Sequence, residues 1–170
     1  MKNLKALPGI AAIIIAFIFV AGCQQQKDYS KEYKPLADKY ADVWNGGNPD
    51  SLDAIMSKDF VYNSNSMPAV KGLEGIKKVI ASFRTAFPDA KLVTQEVIFS
   101  ENEGAARWTL TGTNTGPGEM PPTGKSFSIW GESIMHFANG KITEEWVAYD
   151  NQSMMEQLGY TVTPPSDKKK

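Results

Sequence analysis

An α+β fold is predicted by three observations. Helical periodicity fills the first half of the chain beyond residue 31, strict alternation replaces it after Pro88, and turn residues join the alternating segments into hairpins. Over 28–44, Tyr33, Leu36, Tyr40, Val43 and Trp44 recur at three- and four-residue intervals, which predicts an amphipathic helix that Gly46-Gly47 stops. Asn48 suits an N-cap and Pro49 a first helical position, so a short second helix is expected over 50–57, burying Leu52, Ile55 and Met56. Phe60-Val61-Tyr62 reads as a brief strand followed by a loop through Pro68. A third helix over 72–87 carries Leu73, Ile76, Val79, Ile80, Phe83 and Phe87 at helical spacing and ends before Pro88.

Antiparallel strands are expected over 90–100, 105–113, 125–137 and 141–149. Asn102-Glu103-Gly104 and Asn139-Gly140 supply the hairpin turns, the second because both central residues of a type I′ turn need positive φ. Residues 114–124, rich in Gly and Pro, form a longer loop, and a last helix over 152–158 ends at Gly159.

The N-terminus reads as an export signal. Lys2 and Lys5 form its basic end, residues 10–20 its apolar run, and Ala21-Gly22 the small residues of a cleavage site. Val20-Ala21-Gly22-Cys23 resembles the bacterial lipobox, which implies a signal peptide over 1–22, lipidation of Cys23, and a chain anchored in the cell envelope, on the outer side of the cytoplasmic membrane or in the outer membrane. Two acyl chains hold a protein on a membrane where one does not. The apolar stretch 8–22 is shorter than the roughly 20 residues a spanning helix needs. Residues 23–31 read as a tether, 32–160 as one domain and 161–170 as a flexible tail.

Composition excludes several classes. The 170 residues carry 18 basic and 19 acidic side chains, so no basic excess is available to neutralise phosphates and nucleic acid is not an expected partner. One histidine and one cysteine leave no transition-metal cluster and no disulfide within the chain, and no metal or cofactor is expected. Gly124-Lys125-Ser126 lacks the upstream glycine of a phosphate loop and enters a strand, and no serine stands in a nucleophile elbow.

A series of short segments then carries a family resemblance: Trp44-Asn45-Gly46-Gly47, Asp59-Phe60-Val61-Tyr62, Gly72-Leu73-Glu74-Gly75, Phe87-Pro88-Asp89, Pro121-Pro122-Thr123-Gly124-Lys125, Gly140-Lys141-Ile142, Glu145-Trp146, Asp150 and Gln157-Leu158-Gly159. Together they resemble the SnoaL-like, polyketide cyclase-like (ester cyclase) branch of the NTF2-like superfamily. That resemblance implies a cone in which a curved antiparallel sheet wraps around three N-terminal helices and leaves a pocket at its wide end. The fold hosts isomerases, cyclases, hydrolases and members without known chemistry. Polyketide cyclases of the family use an acid on the strand after Gly-Lys-Ile and a histidine on the strand before it; counting from Gly140 puts Val147 and Ser133 at those positions.

Two other acids are candidate catalytic groups. Asp150, at the end of the last strand, is either a proton acceptor at the pocket mouth or the N-cap of the final helix. Glu132 shares a strand face with Trp130, Ile134 and His136, and is either a buried acid or a solvated partner of Arg107. His136 reads as a base or a partly exposed hairpin residue. Tyr62, Trp108, Trp130, Trp146 and Tyr149 are the expected aromatic walls of a ligand site, with Met67-Pro68 and the loop 116–122 near its opening. The leading expectation is a membrane-anchored domain binding a small, mostly apolar ligand, with weak acid-base chemistry at most. The alternatives are an enzyme acting beside a carbonyl through Asp150 or Glu132, and a homodimeric interaction module that pairs through exposed strand aromatics.

Overall fold

A computed structural model describes residues 27–119 and 121–161. The helices are α1 (Ser30–Trp44), α2 (Leu52–Ile55), α3 (Leu73–Ala86) and α4 (Asn151–Gln157); the strands are β1 (Met56–Ser64), β2 (Met67–Lys71), β3 (Lys91–Phe99), β4 (Glu103–Thr113), β5 (Ser126–Ala138) and β6 (Lys141–Tyr149). The expected signal peptide, Cys23 and most of the tail lie outside the described residues.

All six strands form one sheet in the order β2-β1-β6-β5-β4-β3. The expected all-antiparallel sheet needs correction: β1 runs parallel to β6, with Val61 opposite Glu144 and Ser64 opposite Val147, so the sheet is mixed. Its cause is the crossover, because α3 and the three strands after it separate β1 from its neighbour and bring β6 back in the same direction. A second departure is β2. Pro68 suggested a loop, yet β2 is the outermost strand beside β1, and an edge is where a strand tolerates a residue with no N–H to give.

The three expected N-terminal helices are also modified. Asn48 accepts from the Asp50 amide at 3.0 Å as an N-cap should, but the segment it opens is a 3₁₀ turn at Pro49–Ser51 followed by the single turn of α2. Met56 then turns extended, pairs with Ile142 and starts β1 four residues before Phe60. Elsewhere the turns form where their residues require: Asn139 and Gly140 have φ of 53° and 70°, and Gly159 ends the last helix at φ 88°.

Two buried clusters hold the elements together. The larger packs Tyr33, Tyr40 and Val43 of α1 and Ile76 and Ile80 of α3 against Phe60, Trp108, Phe137 and Ile142 of the sheet. The smaller joins Phe87 and Ala90 to Phe127 and Ile129 of β5 and to Met154 and Leu158 at the chain's end. Within the Trp44-Asn45-Gly46-Gly47 segment, the Asn45 amide clasps the backbone of Leu92 on edge strand β3, giving Nδ2–H to its carbonyl at 2.9 Å and accepting its N–H at 2.7 Å. That clasp fixes where α1 ends over the sheet. Asn45→Ala is expected to lower stability by about 1–2 kcal/mol in urea denaturation, since both backbone groups lose their partner; Asn45→Asp should recover part of the loss by keeping the acceptor.

Candidate functional site

A cavity of about 150 Å³ lies between α1, α3 and the inner face of the sheet. Side chains from every strand reach it, including Tyr62 (β1), Met67 (β2), Leu92 (β3), Trp108 (β4), Ser133 (β5) and Glu145 (β6), so the sheet bends around it. Two irregularities help the bend, one in β3 between Thr94 and Glu96 and one in β1 between Tyr62 and Ser64. The wall is largely apolar and, among the described residues, holds no lysine, arginine or histidine.

Glu145 is the acid of this cavity. Alternation along β6 sends Glu145, Val147 and Tyr149 inward and Trp146 outward. Its Oε2 accepts from the Tyr40 hydroxyl of α1 at 2.8 Å, and the Ser133 hydroxyl nearby favours the charged carboxylate. Ser133 Oγ in turn accepts from Trp108 Nε1 at 2.9 Å. Trp108 thus fixes the Ser133 hydroxyl in the cavity wall while Tyr40 holds the carboxyl from above.

Burial dominates the electrostatics. It disfavours the charged form more than the two hydroxyls favour it, and Glu145 is pushed up to about 7. Burial likewise raises the phenols of Tyr40 and Tyr62, and the nearby Glu145 charge pushes the same way, so both stay protonated donors. A carboxyl poised near neutrality can take a proton from a weak carbon acid and return it.

The predicted site residues divide between the two faces of the sheet. Tyr62, Trp108 and Tyr149 line the cavity. Trp130 and Trp146 stand on the opposite face, 62% and 54% exposed, and do not reach it. Glu132 is exposed on that outer face, opposite Arg107 in the β4–β5 register, while Arg107 itself reaches Glu96 at 3.4 Å. Asp150 is exposed, and its Oδ1 accepts from the Ser153 amide at 2.8 Å as the N-cap of α4. His136 sits outward between Glu144 at 2.8 Å and Glu103 at 3.4 Å, and its hydrogen bond holds the Glu144 carboxyl below the usual range. Among the described residues no group of three or more His, Cys, Asp or Glu is arranged to hold a metal. Met67 does border the opening, whereas none of the described residues in 116–122 lines it; Gly116 bonds to the end of α3 and Pro121 to Tyr160.

Glu145, Tyr40 and Ser133 were not among the predicted site residues. The available signal was parity: Val147 and Glu145 are two apart on one strand, so any argument that turns one inward turns the other inward too. Because the folded protein holds the Glu145 proton more tightly than an unfolded chain does, the contribution of Glu145 to stability is greatest below about 4.5, falls as pH rises through the window to about 7, and is flat above it. The loss expected by pH 8 is on the order of 3 kcal/mol. Urea denaturation at pH 4.5 and 8 should show this slope in the parent chain and a flattened one in Glu145→Gln.

None of the curated proteins matches the chain. Among solved structures, a candidate SnoaL-like polyketide cyclase from Jannaschia sp. CCS1 superposes with a TM-score of 0.73 at 21% identity, covering 82% of this chain and 99% of its own. TsrD from Streptomyces laurentii gives 0.69 at 24% identity, covering 76% and 96%. AclR, a candidate hydroxylase from Streptomyces galilaeus, gives 0.67 at 26%, covering 80% and 86%. These likenesses concern the fold. The family model described as SnoaL-like polyketide cyclase matches residues 34–158, which include all six strands and the whole cavity wall, and the chain belongs to that family.

Proposed function

We propose that the chain binds a small, mostly apolar carbonyl compound in the cavity and that Glu145 moves a proton at the carbon beside the carbonyl. The observation that carries this reading is a carboxyl pushed up to about 7 in an apolar cavity, hydrogen-bonded by the hydroxyl of Tyr40. Proton loss from the carbon leaves an enolate, and return of the proton to that carbon or to a conjugated one completes exchange or isomerisation without any co-reactant. Tyr62 and Tyr149 supply phenol groups on the same wall for the oxygen.

Capture without turnover is the second reading. It is supported by Val147 and Ser133, which line the cavity at the places the family resemblance gives to the cyclases' acid and histidine.

Deuterium uptake by cyclohex-2-enone in D₂O, followed by NMR, separates the two. The enzyme reading expects catalysed exchange that rises with pH through about 7, because the ionised carboxylate is the base. Glu145→Gln should lower the rate by about 100-fold or more. Tyr40→Phe removes a bond that favours the ionised form, so it should move the rising limb to higher pH. Exchange no faster than buffer, or unchanged by Glu145→Gln, removes the chemistry and leaves capture.

We further propose that lipidated Cys23 anchors the domain at the cell envelope and that two copies pair through their outer sheet faces. The lipobox-like run ending at Cys23 supports the anchor. The pairing is supported by Val93, Ile98, Trp130, Ile134 and Trp146, exposed together with Glu96, Arg107 and Glu132, a patch with both charge signs that a twofold axis can match to itself. Cys23→Ser should move the chain out of the membrane fraction, and Trp130→Lys should turn a dimer of the chain from residue 24 onward into a monomer in analytical ultracentrifugation; membrane retention or an unchanged mass sinks the respective proposal.

A further inference from the structure

Trp108 is fixed from two sides. Its Nε1 gives its hydrogen to Ser133, and the far edge of the indole lies on Gly131, so close that a Cβ added there would stand 2.3 Å from Cη2 and 2.5 Å from Cζ2. A third contact is the Tyr149 ring, with centroids 6.4 Å apart. The indole is therefore seated as deep as the backbone of β5 permits, and no larger space can be made by sinking it further.

What it leaves is about 150 Å³. An apolar cavity of about 150 Å³ holds one benzene ring, whereas sites for drug-sized ligands begin at about 300 Å³. Of the lining side chains, Asp38, Ser66, Met67 and Thr94 are exposed and mark the mouth; Asp38 is paired with Lys34 at 2.6 Å. A second fused ring would have to stand in that mouth, half in water and beside a carboxylate, and would gain little burial there.

We propose that the cavity accepts a monocyclic carbonyl compound, and that Trp108 is the specificity-determining residue that keeps fused-ring ketones out. This rests on the reading of the cavity as the ligand site, but it concerns size and not proton transfer.

Isothermal titration calorimetry with cyclohex-2-enone, 1-tetralone and anthrone tests the inference through a series of one, two and three rings. Apolar area alone would make anthrone bind best. The parent chain should instead bind cyclohex-2-enone at least about tenfold more tightly than anthrone, with 1-tetralone between them. Trp108→Ala should reverse that order, and Trp108→Phe, which keeps an aromatic ring in the core, should narrow the ratio by about threefold or more. Anthrone binding to the parent chain as tightly as cyclohex-2-enone, an unchanged ratio in Trp108→Phe, or no binding of cyclohex-2-enone overturns the inference. The parent chain keeps the two readings apart: a preserved size order in titrations with no catalysed proton exchange retains the size limit while the chemistry fails.

Discussion

The bond between Tyr40 and Glu145 is the constraint from which the site follows. A carboxyl removed from water must find hydrogen-bond donors or lose its charge, and here the donor comes from a helix 105 residues away in the chain. To deliver that hydroxyl, α1 has to lie with Tyr33, Tyr40 and Val43 towards the sheet, and the Asn45 clasp on Leu92 holds it at that phase. Ser133 stands near the same carboxyl because β5 and β6 pair with Ser133 directly opposite Val147, one inward-facing pair away from Glu145 and Met135. The acid is thus placed by the register of two strands and the rotation of one helix.

The two faces of the sheet do different work, and small residues decide which face carries which. Gly131 and Ser133 occupy inward positions on β5, where larger side chains would fill the space that the Trp108 indole takes from β4. Two bulky residues of β5, Trp130 and Ile134, point outward and are joined there by Trp146 and Ile98, while Phe127, Ile129, Met135 and Phe137 of the same strand are buried. Aromatic content alone does not identify a cavity wall; the alternation of each strand decides which of its aromatic residues face inward.

Much of the fold was legible because it rests on local rules. The periodicity of α1 and α3, the Asn48 cap, the Asn139-Gly140 turn and the Asp150 cap all depend on residues within a few positions of one another, and each forms. What was not legible depends on distant partners. β2 contains a proline and is a strand only because it is an edge, and α2 is cut short because Met56 finds Ile142. Glu144 and Glu145 are adjacent and chemically alike, yet one meets His136 on the outer side and the other is sealed against Tyr40. Composition cannot separate them; strand parity, carried back from Val147, can.

The parallel pairing of β1 with β6 also bears on how the chain reaches this state. The β1–β2 hairpin is made early from neighbouring residues, but its other edge is filled only by the last strand, after α3 and three further strands have been placed. Closing so long a loop costs chain entropy before any ladder bond repays it, and non-local pairing of this kind slows folding. Until that closure, the backbone of β1 stands open along one side, an unpaired edge of the kind that templates aggregation, which β6 covers in the folded domain.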